Sequence, residues 1–176
     1  MQSESNDMYS IGEYSLFHND ALISNQNARP YGGTAVYSRI DYYPGYPFWH
    51  NRNGIEVTVI RLMIVPHITI IAIYRSPNVP MRQLCITLED LLHEQTTELK
   101  VFIGDFNVNW LNLSDRAPLY NLFVRDNQYR QLMSCYTTDN KTCIDHIYTN
   151  LPQTIKTGVL ETYFSDHKAV YALLTC

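Results

Sequence analysis

Three short stretches of the chain combine carboxylates, amides and imidazoles where strands should begin or end. The first, Gly104-Asp105-Phe106-Asn107, follows the apolar run Leu99 to Ile103. Glycine allows a sharp turn there, which would present Asp105 and Asn107 on one side and send Phe106 into the core. A carboxylate so placed can take or return a proton, and a nearby amide can hold a water or a phosphate oxygen. The second is Ile144-Asp145-His146-Ile147-Tyr148. As a strand it would point Asp145 and Ile147 one way and Ile144, His146 and Tyr148 the other. A charge at the start of a buried strand needs a partner. The third, Ser165-Asp166-His167, supplies a hard oxygen ligand and a titratable imidazole. Taken singly, the first and third read as turns, because Asp, Asn and Gly are turn formers, and the second as a strand-edge Asp binding backbone donors. Taken together they suggest more. Several acids at one rim repel one another unless a cation or a histidine shares the site. Such a set suits phosphoryl chemistry, with a metal to polarise the phosphate, a general base and an oriented water.

The elements that must position these residues are legible in the apolar pattern. Tyr14 to Phe17 and Gly33 to Arg39 read as strands, separated by a polar loop containing Asn25 to Gly33. Ile55 to Val65 and Ile68 to Tyr74 are β-branched on both parities, which predicts a pair of central strands buried on both faces. Met81, Leu84, Cys85, Leu88, Leu91 and Leu92 recur at helical spacing, with Pro80 near the start. Leu99 to Ile103 is a strand, and Pro118 to Asp126 is a helix capped by Ser114 or Asp115. Three strands follow at Cys143 to Thr149, Ile155 to Glu161 and Lys168 to Leu174. Asp41 to Gly54, rich in Tyr, Phe, Trp, Pro and Gly, reads as a loop that packs its own rings or stacks on bases. The order, strand-rich with inserted helices, favours a mixed-sheet α/β sandwich over a doubly wound parallel sheet. No repeat or linker is seen, so residues 1–176 read as one domain with a disordered polar segment over residues 1–10.

Composition removes several classes. Of the 176 residues 45% are hydrophobic and 17% charged, which fits a globular chain and not a disordered one. No apolar run approaches the roughly 18 residues of a membrane span, and Met1 to Asp7 lacks the features of a secretory signal. The expectation is a monomer inside the cell, nuclear or cytoplasmic, with no membrane partner. The net charge of −4 and the scattered basic residues argue against tight, non-specific DNA binding. Cys135, Cys143, His146 and His167 make a poor zinc set, because no paired ligand spacing is present.

The same three stretches, in the same order, resemble the C-terminal signature of the endonuclease/exonuclease/phosphatase superfamily, whose enzymes are exonuclease III-like and deoxyribonuclease I-like. Ile73-Tyr74-Arg75-Ser76-Pro77 is similar to its strand-end tyrosine motif. Tyr31-Gly32-Gly33-Thr34-Ala35-Val36-Tyr37 is similar to the Gly-Gly strand of endonucleases from LINE-type retrotransposons and related mobile elements. The resemblance runs from about Tyr14 to Leu174. It implies a deoxyribonuclease I-like four-layer α/β sandwich and a Mg²⁺-dependent phosphodiesterase, with Mn²⁺ as an alternative ion and DNA as substrate. By the same resemblance His167 would be the phosphate-site imidazole and Asp145 its hydrogen-bond partner. Asp105 would serve in proton transfer, and Asn107 would orient the nucleophile or a phosphate oxygen. Tyr74 would contact the scissile phosphate, Arg75 the substrate, and Asp166 the metal. The family's opening strands, one carrying an Asn and one ending in a metal-binding Glu, have no counterpart here; Glu4 is the only nearby candidate. The chain is therefore expected to be N-terminally truncated, completed by or fused to other mobile-element segments, and weak or inactive alone. The alternatives are a catalytically silent relic or interaction module, and a phosphatase acting on a lipid or small-molecule phosphate.

Overall fold

The β-branched runs do become the centre of the molecule. In the structure, a computed structural model, the described residues are 11–19, 33–39, 48–52, 54–62, 67–94, 99–152 and 155–174. Among them the chain forms β1 (Tyr14–Asn19), β2 (Thr34–Arg39), β3 (Phe48–Arg52), β4 (Ile55–Leu62) and β5 (Ile68–Arg75). Helix α1 (Met81–Glu94), β6 (Leu99–Asp105) and α2 (Leu113–Leu119) follow, and α2 runs on into a π-helical segment, Tyr120–Asp126. The remainder is β7 (Arg130–Gln131), β8 (Asp145–Thr149), β9 (Ile155–Leu160) and β10 (Ala169–Leu174). Glu4, Tyr31, Gly32, residues 41–47 of the aromatic segment and residues 63–66 lie outside the described residues.

Six strands pair in the order β3-β4-β5-β6-β8-β7, with β5 and β6 parallel and the other pairs antiparallel. The sheet is mixed, as expected. Two antiparallel pairs, β1-β2 and β9-β10, stand apart from it. Alternation along β4 shows what each face meets. Glu56 and Thr58 look towards β2, since Glu56 Oε2 accepts the Gly33 N–H and Thr58 Oγ1 lies 2.6 Å from Thr34 Oγ1. On the opposite parity Ile55, Val57 and Val59 join the main core with Leu84, Leu88 and Leu91 of α1. Phe102 of β6 meets Phe123 of the π-helical segment edge-to-face at 5.0 Å, and Tyr148 of β8 stacks on Phe123 at 4.0 Å. Helices thus cover one face of the sheet and strand pairs the other, which is the deoxyribonuclease I-like arrangement of mixed sheet and few helices.

Two local expectations are corrected. Phe48–Arg52, read from composition as loop, is an edge strand paired with β4 from Arg52↔Ile55 to Phe48↔Val59. Its pairing gives the β4 edge the partners that backbone N–H and C=O groups require, which outweighs turn-rich composition. The second helix begins at Leu113, earlier than Pro118. Its cap is Asn112, whose side-chain carbonyl accepts Ser114 N at 3.0 Å, and neither Ser114 nor Asp115 takes that place. Pro118 sits inside it. Lacking an N–H, proline removes one helical hydrogen bond, and the backbone widens into π turns directly after.

Candidate active site

Strand register assembles the site. Tyr74 pairs with Asp105 across β5-β6, and Asp105 pairs with Asp145 across β6-β8. Cross-strand partners share a face, so these three side chains form a row along one rim, on the face that also carries Glu56. Ile73, Gly104 and His146 form the next row. Gly104 is obligatory there: its φ is 141°, and a Cβ would lie 1.9 Å from the Ile73 carbonyl oxygen. Glycine therefore lets β6 run close to β5 and deliver Asp105 to the rim.

Beyond the strand the turn is clamped from three sides. Asn107, at φ 50°, donates its backbone N–H to Asp105 Oδ1 at 2.8 Å. Its side-chain amide donates to Asp105 Oδ2 at 3.1 Å and to the Arg75 carbonyl at 2.8 Å. Arg75 returns the favour from beneath: Nη1 donates to the carbonyls of Phe106 (3.1 Å) and Asn107 (2.9 Å), while Nε and Nη2 donate to Val79. Arg75, expected to contact the substrate, is thus placed beneath the turn. The residue is buried, and its donors are spent on backbone carbonyls that hold the Asp105–Asn107 turn. Phe106 is fully buried, as expected.

His167 arrives from the bend between β9 and β10. Its backbone pairs with Thr138, and its N–H donates to Ser165 Oγ at 3.0 Å. The loop before β8 is fastened to the same bend, because Lys168 N donates to the Thr137 carbonyl and Asp139 N to that of Asp166. Thr137 Oγ1 also accepts the N–H groups of Ile144 (3.1 Å) and Asp145 (3.2 Å), a positioning role that no sequence motif marks. The result is a direct contact: His167 Nδ1 lies 3.0 and 3.1 Å from the two Asp145 carboxylate oxygens. A carboxylate accepts, so Nδ1 carries the proton and the neutral ring leaves Nε2 as a base.

The electrostatics follow from crowding. Asp105 is pushed up to about 6, first by burial and then by the Asp145 charge, against the pull of the Asn107 N–H, His167 and Arg75. Burial alone would lower His167, but the Asp145 charge and hydrogen bond, with Asp105 and Asp166, carry it above its ordinary value. One ligand atom from each of Asp105, Asp145 and His167 falls within 4.8 Å of the others. Two carboxylates and an imidazole that close are a donor set fit for a divalent cation, and carboxylate oxygens suit the hard ions Mg²⁺ and Mn²⁺. Asp166, the metal ligand expected from sequence, stands outside that group and is exposed, with its backbone carbonyl held by Asp139. The zinc alternative fails. Cys135 is exposed, the Cys143 thiol is directed at the Met133 carbonyl, and both ring nitrogens of His146 are bonded within the core.

A mixed sheet with an Asp–His pair and a second carboxylate at its rim defines a class of phosphate-ester hydrolase. The chain belongs to the endonuclease/exonuclease/phosphatase family, whose sequence model matches residues 3–167. The endonuclease domain of TRAS1, a telomere-specific non-LTR retrotransposon, is similar in structure, with 17% identity, a TM-score of 0.66, and 90% of this chain and 78% of that one covered. TDP2 of D. rerio, complexed with a single-strand DNA product, shows 14% identity and a TM-score of 0.63 over 91% of this chain and 76% of that one. A mannosyl-6-phosphatase of Bacteroides thetaiotaomicron shows 16% identity and 0.61 over 94% and 78%. Among curated proteins none is similar in sequence. The family's members are hydrolases, nucleases and phosphatases among them. No described helix is long and apolar enough to cross a membrane.

Proposed function

We propose that this chain is a metal-dependent DNA endonuclease of mobile-element origin, hydrolysing phosphodiester bonds in the nucleus or cytoplasm. The observation that carries the reading is the Asp145–His167 hydrogen bond beside Asp105, a carboxylate raised to about 6. Asp145 fixes the imidazole's tautomer. His167 Nε2 accepts the proton of the attacking water or steadies the charged phosphoryl group. Asp105, raised from the usual carboxylate range towards neutrality, passes a proton to the leaving oxygen. Asn107 orients the water or a phosphate oxygen, and Tyr74, in register with Asp105, contacts the scissile phosphate. A divalent cation, Mg²⁺ or Mn²⁺, would be held by Asp145 with Asp166 at the rim, leaving Asp105 for proton transfer, and would supply Lewis-acid polarisation of the phosphate. DNA as substrate is supported by the likeness to the TRAS1 endonuclease domain and to TDP2 with its DNA product.

The test is nicking of supercoiled plasmid. Weak nicking in Mg²⁺ is expected, stopped by EDTA and by either His167→Ala or Asp105→Ala. Nicking that survives both substitutions would show the site to be misassigned. The likeness to a mannosyl-6-phosphatase favours one second reading, a phosphatase. Release of inorganic phosphate from a monoester, with plasmid left intact, would select it.

A further inference from the structure

Two aromatic rings stand in water beside the candidate site. Tyr163 is 100% exposed and Phe164 91% exposed, in the bend that leads directly to Ser165-Asp166-His167. The bend is braced. Thr162 Oγ1 donates to the carbonyls of Ser165 and His167, and Lys168 Nζ meets Glu161 at 2.6 Å. Tyr136, 49% exposed, lies on the adjoining loop, one residue before the Thr137 whose carbonyl accepts Lys168 N. Leaving a large apolar ring in water forgoes roughly 1.5–3 kcal/mol of burial. An isolated exposed apolar residue needs no explanation, but consecutive rings on a fastened loop at a reaction rim do.

Charge narrows what covers them. The chain carries a net −4, the bend itself holds Glu161 and Asp166, and Lys168 is engaged by Glu161. That charge disfavours an anionic lipid surface and a strand's phosphates alike, so under the endonuclease reading any affinity gained here must come from the bases. Bases suit the rings, because every base offers a π face to an aromatic side chain. We propose that Tyr163 and Phe164, with Tyr136 on the adjoining loop, form a stacking platform for unpaired nucleobases flanking the bond to be cleaved. The substrate is then a strand whose bases are free to stack outward, single-stranded or locally opened. This rests on the endonuclease reading and adds the substrate's form.

The experiment measures binding in EDTA, so it needs no turnover. A fluorescein-labelled thymidine oligonucleotide is compared with one of equal length in which the bases are replaced by tetrahydrofuran abasic residues. The wild-type chain is expected to bind the base-bearing strand on the order of tenfold more tightly, with a shallow salt dependence. Tyr163→Ala/Phe164→Ala should erase that preference, and Tyr163→Phe/Phe164→Trp should restore it. Unchanged melting temperature of both variants would confirm that the fold is intact. Equal affinity of the wild type for the two strands, or a preference that survives the double alanine change, overturns the platform. A chain that binds the base-bearing strand selectively yet never nicks plasmid would sink the endonuclease reading alone. Nicking without base preference would sink the platform alone.

Discussion

The dipeptide Asp-His occurs at 145–146 and again at 166–167, and the two copies are used in opposite halves. In the first, Asp145 opens β8 on the rim face and reaches His167, while strand alternation sends His146 through to the helix face. There the imidazole stacks on Phe106 at 5.1 Å and meets Trp110 at 5.7 Å. Its Nε2 donates to the carbonyls of Val108 and Cys143, at 2.9 and 3.1 Å, and its Nδ1 accepts from the Tyr148 hydroxyl at 2.8 Å. Burial pushes it down to about 4, and those carbonyls offset that only in part. In the second copy no strand alternation operates. The bend exposes Asp166 and turns His167 inward, where among the described residues only Nδ1 is taken and the shift is upward. An imidazole with both nitrogens satisfied by the core is structural; one held by a single carboxylate keeps a nitrogen for chemistry.

That contrast is open to attack by substitution. The largest expected effect is on the rate: His167→Ala should lower hydrolysis 10²–10⁴-fold, roughly what a positioned acid–base group contributes, with little change in stability. His146→Ala should do the reverse. It opens a cavity between Phe106 and Trp110 and strips partners from the Tyr148 hydroxyl and two carbonyls, costing about 3–5 kcal/mol in urea unfolding. A His146→Ala protein with an unshifted urea midpoint, or a His167→Ala protein that melts far below wild type, would mean the two roles have been exchanged.

How far the sequence disclosed this depends on the range of the interaction. β4, β5, α1 and β6 were legible because their signals are local: β-branched residues on both parities, and leucines at helical spacing. The candidate site stretches around Asp105, Asp145 and His167 could be picked out because acids, amides and imidazoles cluster beside apolar runs, and the Asp145–His167 pair expected from family resemblance lies within hydrogen-bonding distance. What escaped is set by tertiary partners. Phe48–Arg52 is a strand only because β4 lies beside it. Arg75 faces inward because the Phe106 and Asn107 carbonyls wait there, and nothing in Tyr74-Arg75-Ser76 announces that. His146 looks, letter for letter, as functional as His167, and only the face of a strand turns it into the core.

The pH dependence of stability sharpens the same comparison, with a smaller expected size. His146 titrates at about 4 when folded and near 6.5 when unfolded. A histidine lowered in this way stabilises the fold fully above 6.5, and that contribution is lost as pH falls through 4. It amounts to roughly 3 kcal/mol at most. His167 is raised, so the sign inverts: its contribution is present below 6.5 and disappears as pH rises through its folded value. With 34% of its side chain exposed, the Asp145 pair is worth about 1 kcal/mol or less. Urea unfolding from pH 8 to pH 4 separates them. The gap between wild type and His146→Gln should narrow towards acid, because acid removes what the substitution removes. The gap between wild type and His167→Ala should be small and should shrink as pH rises above 6.5. Parallel curves for His146→Gln and wild type across that range would mean His146 is not held neutral by the core, and the division of labour between the two imidazoles would lose its electrostatic basis.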